Sequence, residues 1–102
     1  MSPATDGIIN TIAGTGSTAF NGDDISALSA NMFPHGIAVD SKGNIYVADA
    51  GTNKIRKIST DGMATTVTTG ALVAPSGVAV DQYDNIYTVE YSGHKIKKVY
   101  YP

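Results

Sequence analysis

One stretch of this chain is written twice. Pro34-His35-Gly36-Ile37-Ala38-Val39-Asp40 returns 41 residues later as Pro75-Ser76-Gly77-Val78-Ala79-Val80-Asp81, and the register then holds without a gap. Asn44-Ile45-Tyr46 meets Asn85-Ile86-Tyr87, and Lys54-Ile55-Arg56-Lys57-Ile58 meets Lys95-Ile96-Lys97-Lys98-Val99. A period of about 40–45 residues made of short β-branched runs predicts one propeller blade per repeat, because helical repeats of that length lack alternating β-branched runs. Two blades cannot close a ring, so assembly is expected to be part of what the chain does.

Turn residues divide each repeat into strands. In the first, Gly36–Val39 ends at the Asp40–Asn44 turn, Ile45–Ala48 ends at Asp49–Asn53, and Lys54–Ser59 alternates charged with apolar residues. Asp61-Gly62 then turns the chain into a Thr-rich fourth strand, Thr65–Thr69. The second repeat offers three strands, Gly77–Val80, Ile86–Val89 and Lys95–Tyr100. Its missing fourth strand is expected at the other end of the sequence, where Asp6-Gly7-Ile8-Ile9-Asn10-Thr11-Ile12-Ala13 matches the pattern of Asp61–Thr68.

The expected organisation is therefore a single two-blade unit over residues 1–102. Residues 6–13 are a displaced fourth strand, 14–33 an insertion, 34–69 a complete blade and 75–101 three strands of the second blade. Within the insertion, Asp24 is expected to cap a short helix carrying Ile25, Leu28 and Met32 on one face, a lid over a blade junction. Its glycines are no phosphate loop, since no Gly-Lys-Ser/Thr follows.

The paired motifs resemble the NHL repeat: Pro-x-Gly-Ile/Val-Ala-Val-Asp, then Asn-Ile-Tyr, then Asp/Glu and Lys-Ile-x-Lys-Ile/Val. Thr11-Ile12-Ala13-Gly14-Thr15-Gly16 with Gly22-Asp23 resembles the long bacterial form of that repeat. The resemblance implies an all-β propeller of four-stranded antiparallel blades, two per chain, in a ring closed by oligomerisation. Six blades from a homotrimer are favoured, with a tetramer as the alternative. It also implies that the first strand lines the channel and is buried on both faces. As a guide to function it is weak, because propellers host enzymes, sensors and plain adaptors.

The leading expectation is a non-catalytic binding or assembly scaffold. No Ser-His-Asp, Cys-His, paired-Glu or H-E-x-x-H pattern is present, and the chain has no Cys. Asp40 and Asp81 are expected to accept bonds within Asx turns, and Tyr46 and Tyr87 to pack between blades. By the family mapping, one rim gathers the insertion, His35, Asp49–Asn53, Ser76 and Glu90–His94. Glu90, Tyr91, His94 and Asn53 are its candidate contacts for a small molecule, sugar or peptide.

His35 carries the competing reading, a metal-dependent lyase or hydrolase. Propellers with similar repeats, notably peptidyl-α-hydroxyglycine α-amidating lyase, hold a zinc on the axis with histidines directly after the Pro that opens a blade. Three symmetry-related copies of His35 match a His₃ zinc set. The second blade has Ser76 at that position. A third reading is an interaction module within a larger propeller.

Other classes fit poorly. Net charge is −2, which gives no general pull toward nucleic acid or anionic membrane. Lys54, Arg56, Lys57, Lys95, Lys97 and Lys98 crowd the third strands, but aromatics do not interleave with them as a single-strand nucleic-acid platform needs. No apolar run reaches the roughly 18 residues of a membrane span, and Met1–Asp6 has no secretion-signal pattern. The compartment stays open.

Overall fold

The alternation of β-branched and polar residues in each repeat is realised as antiparallel hairpins. The computed structural model describes residues 7–68 and 72–100. Eight strands follow one another in the described residues: β1 Ile25–Ser26, β2 Pro34–Val39, β3 Ile45–Asp49, β4 Lys54–Ile58, β5 Met63–Thr66, β6 Pro75–Val80, β7 Ile86–Glu90 and β8 Lys95–Val99. β2 to β5 form a four-stranded meander to which β1 adds beyond β5; β6, β7 and β8 form the second sheet. The chain is thus all-β and antiparallel, as expected. The two repeats share a register. Val39 faces Ile45 as Val80 faces Ile86, and both first strands shift register between Pro and Gly. Asp6, Thr69 and Tyr101, which bound segments named above, lie outside the described residues.

Strand periodicity decides which side chains meet. Tyr46, Ala48 and Ile55 turn toward the second sheet and close a core with Val67, Leu72 and Ile86, against which Val78, Val80 and Val99 pack. Val47, Ile58 and Ala64 point the opposite way and are covered by Ala27, Ala30 and Met32 of the insertion. The segment 14–33 is therefore a lid on the outer face of the first blade.

The lid is not built as expected. Asp24 sits at φ 56°, in the left-handed region, and so cannot cap a helix. Ile25-Ser26 instead pairs with β5, Ile25 opposite Ala64, and only a 3₁₀ turn follows at Ala27–Ser29. Pairing with an otherwise open strand edge satisfies more backbone groups than one helical turn would. Leu28, placed by helical spacing on the buried face, is exposed.

A buried cation ties the lid to the sheet. Arg56 is fully buried on β4; its Nε donates to the Thr65 carbonyl at 3.3 Å and its Nη2 to the Gly22 carbonyl at 3.0 Å. The Asp23 carboxylate lies 3.6 Å from Nη2, and the guanidinium sits 4.9 Å from the centre of the Phe20 ring.

The turns after β2 and β6 are duplicates. Asp40 Oδ1 accepts the Lys42 and Asn44 N–H groups, while Oδ2 accepts Asn44 Nδ2 and the Tyr46 hydroxyl. Asp81 does the same with Tyr83, Asn85 and Tyr87. Each carboxylate is saturated by four donors, so the Asx-turn reading holds and neither group is free to act as a base. At Asp40 burial pushes the carboxyl up, but the Asn44, Lys42 and Tyr46 bonds together outweigh it and hold it below the ordinary range. At Asp81 the Asn85 side chain leads the same downward shift. Groups held low in the folded state contribute stability that is fully present above the ordinary carboxylate pKa, about 4, and lost as pH falls through the folded value. The urea midpoint at fixed protein concentration should therefore stay level from pH 8 to pH 5 and drop below about pH 4. Asp81→Asn should lower the midpoint at pH 7 and narrow the gap between pH 7 and pH 3.

One expectation about the inner strands fails within the chain. β6 packs against the first blade, but Ile37 and Val39 of β2 are 62% and 55% exposed, because no described residue covers that face. The inner strands do converge: a Cβ added at Gly36 would stand 3.3 Å from the Gly77 Cα and from the Ser76 carbonyl oxygen, whereas one added at Gly77 would meet nothing within 4 Å.

Candidate binding face

At one end of the two sheets lie the segments entering β2 and β6 and the turns β3–β4 and β7–β8. An acid at the end of β3 or β7 anchors each entering segment. Asp49 Oδ1 accepts the Phe33 N–H at 3.2 Å, and Glu90 Oε2 accepts the Val73 N–H at 2.7 Å. Backbone bonds from Ala50 to Phe33 and from Tyr91 to Ala74 complete the two equivalent clasps. Asn53, at φ 58°, accepts the Ala74 N–H at 3.0 Å and so links the first blade to the second.

These contacts separate the four candidate contact residues. Glu90 is buried; the Val73 N–H leads in holding its carboxyl below the usual range against the opposing effect of burial, and Lys97 Nζ, 3.1 Å away, adds to it. Glu90 is charged, doubly engaged and turned inward, and Asn53 spends its carbonyl oxygen on the chain. Tyr91 and His94 are exposed on the β7–β8 turn, with His94 at φ 55° in the position equivalent to Asn53. The repeat itself held the signal for Glu90, since Asp49 is acidic at the equivalent position.

His35 is exposed, its ring 5.0 Å from that of Phe33. With Ala50, Ala74, Ser76 and Tyr91 it lines a nearly apolar cleft of about 340 Å³ between the blades. Among the described residues no group of three His, Cys, Asp or Glu side chains is placed to hold a metal ion. One chain brings a single imidazole to this cleft, so a three-histidine set requires three chains.

The basic residues of β4 and β8 do not form one stripe. Arg56 is internal, Lys97 is paired with Glu90, Lys54 lies over the Phe20 ring at 4.8 Å and Lys98 over the Tyr100 ring at 5.0 Å. Among the described residues no helix is long and apolar enough to cross a membrane.

Twisted antiparallel meanders packed face to face, with their inner strands converging, define consecutive β-propeller blades. The family model of the NHL repeat matches residues 31–58, so the resemblance drawn from the repeated motifs is shown for the first blade. Among solved structures, the chain is similar to a protein of unknown function from Bacteroides thetaiotaomicron, with a TM-score of 0.72 and 22% identity over 84% of this chain and 26% of that one. It is also similar to virginiamycin B lyase from Staphylococcus aureus, with a TM-score of 0.55 and 18% identity over 74% of this chain and 29% of that one. The chain spans between a quarter and a third of these structures' length, and at such identities the likeness is one of fold. No curated protein sequence matches it.

Proposed function

We propose that this chain is a non-catalytic binding and assembly scaffold whose copies join head to tail into a closed NHL-type ring, with three copies giving six blades. The propeller fold supports a repeat-domain scaffold or binding role. One observation carries the ring. The junction between the two blades buries Ala48 and Ile55 of the first against Val78 and Val80 of the second. Shifted by one repeat, the same four positions are Val89 and Ile96 on the second blade and Ile37 and Val39 on the first, and all four are exposed. The two halves of a known contact thus stand open on opposite ends of one chain, which is the arrangement of a heterologous interface that closes by rotation.

Asp49 and Glu90 are buried and each accepts a backbone N–H of its entering segment, which favours binding over catalysis there. Exposed Tyr91, His94 and His35 are the groups left to meet a small molecule or peptide on this face. The axial zinc site of the competing reading depends on the same ring.

The two glycines test the ring. Gly36 meets the Gly77 backbone inside the chain, so Gly36→Ala should destabilise the fold by about 1 kcal/mol or more through overpacking. Gly77 faces open space in one chain but would meet Gly36 of the next copy. Gly77→Ala should leave the chain folded while weakening each contact between copies about fivefold, for the same ~1 kcal/mol. Light scattering across a dilution series reads the second effect and urea unfolding the first. Unchanged assembly in Gly77→Ala would count against this packing of copies.

A further inference from the structure

β4 and β8 are equivalent strands in unequal surroundings. Ile55 on β4 is fully buried, while its counterpart Ile96 on β8 is 74% exposed. The difference has two sources: Ile55 packs against the second blade, and β4 is flanked by β5 and by Val67, whose N–H donates to the Ile55 carbonyl at 2.9 Å. β8 is the edge of its sheet among the described residues, with Val99 the one β8 residue packed on the core. An open strand edge that carries exposed Ile96 among its lysines is a template for a further strand.

The segment before the lid has the form of that strand. Gly7 adopts φ 74°, in the left-handed region, as Gly62 does at 84° before β5. Ile9 is 92% exposed, and Ile8 and Ile12 are exposed as well. In the described structure Ile8–Ala13 forms no strand with its own chain. The Gly14 N–H donates to the Ala27 carbonyl at 2.9 Å, which fixes the segment's exit on the lid side of the first blade. In the ring proposed above, that side faces the second blade of the preceding copy.

We propose that Ile8–Ala13 of one copy adds antiparallel to β8 of the preceding copy, supplying the fourth strand of that copy's second blade. The proposal rests on the ring. The register follows from the first blade, where Arg56 faces Thr66, Lys57 faces Thr65 and Ile58 faces Ala64. Transferred, Lys97 faces Thr11, Lys98 faces Asn10 and Val99 faces Ile9. The Ile12 N–H then donates to the Ile96 carbonyl, as Val67 does to Ile55, and the Ile12 side chain covers Ile96. Three of the chain's exposed isoleucines and the open edge of β8 are accounted for by one contact with a second copy.

The chain has no cysteine, so disulfide trapping is unambiguous. Ile58 and Ala64 form a non-hydrogen-bonded pair, because the bonds from Val67 to Ile55 and from Ser59 to Met63 fall at the alternate positions. Such pairs bring Cβ atoms close enough to cross-link. An equimolar mixture of Ile9→Cys and Val99→Cys chains, oxidised after assembly, should give a covalent two-chain product, and neither chain alone should. Thr11→Cys with Lys97→Cys is a second in-register pair should the first perturb folding. Ile9→Cys with Lys95→Cys, about 13 Å out of register along the strand, should give none. Rings of the expected mass without the cross-link, or cross-linked equally well out of register, would overturn the strand donation and leave the ring standing. A disulfide closed within one chain of an Ile9→Cys/Val99→Cys double variant would also overturn it. Monomers at every concentration would overturn both.

Discussion

Ile96→Asp should leave a folded chain that no longer associates. In one chain Ile96 is largely in water, so an aspartate there costs the fold little. In the ring it occupies the place that Ile55 occupies at the first junction, where no solvent reaches. Placing a carboxylate in such a site, with no donor to meet it, costs about 3 kcal/mol or more per contact. That is a loss of over a hundredfold in the affinity of each contact, repeated around the ring. The equivalent change at the internal junction, Ile55→Asp, should unfold the chain itself. Sedimentation velocity and far-ultraviolet circular dichroism together separate the two outcomes. An Ile96→Asp chain that assembles like the parent would show that the exposed face of β7 and β8 is not a contact between copies.

Arg56→Ala should produce the largest loss of chain stability among changes outside the aliphatic core, about 2–4 kcal/mol at fixed protein concentration. The guanidinium donates to the Gly22 carbonyl, and it shares Asp23 with the Thr66 hydroxyl, 2.7 Å away. Truncation removes charge-assisted hydrogen bonds worth about 1.5–3 kcal/mol each at most, together with the stacking of the guanidinium over the Phe20 ring. It leaves the Phe20–Asp23 stretch without its tie to β4. Arg56→Met should recover part of the loss, since it fills the same space and no longer buries a charge whose Nη1 has no partner. Urea unfolding of the two variants checks the order. Equal stability of Arg56→Ala and the parent would show that the lid is held by its apolar residues alone.

Much of this architecture was legible in the residues because it is repetitive. The 41-residue period, the Asp-x-x-x-Asn-x-Tyr turns and the alternation in β3, β4, β7 and β8 each state a local preference that the fold then uses twice. The lid was not legible in that way. Ile25, Leu28 and Met32 have helical spacing, yet the open edge of β5 captured Ile25-Ser26 as a strand, and a tertiary partner overrode a local pattern. The face was legible only in part. Position on a rim loop marked Glu90 and Asn53 as contacts for a ligand, although Glu90 spends its carboxylate and Asn53 its carbonyl oxygen on the chain. Only the equivalence of Glu90 with Asp49 distinguished an anchor from a free acid. The exposure of Ile37, Val39 and Ile96 could not be read from sequence at all, since their counterparts in the other blade are packed against a neighbour.

The junction between copies would differ from the internal one in one further respect. Inside the chain the Asp84 carboxylate accepts the Ser41 N–H at 2.9 Å and the Ser41 hydroxyl at 2.5 Å, clasping the two blades at the end opposite the rim. One repeat on, the corresponding residues are Gln82 and Gly43, which cannot make that clasp. Strand donation by Ile8–Ala13 is the contact that would take its place.

Native mass spectrometry of the unmodified 102-residue chain at micromolar concentration tests the central claim most directly. Closed six-blade rings predict a single dominant species of about 32 kDa, three times the 10.6 kDa chain mass, with no open series of larger oligomers. A species of four chains would keep the ring and replace six blades with eight. A folded monomer as the dominant species, with Ile96 and Ile37 left in water, would contradict the account.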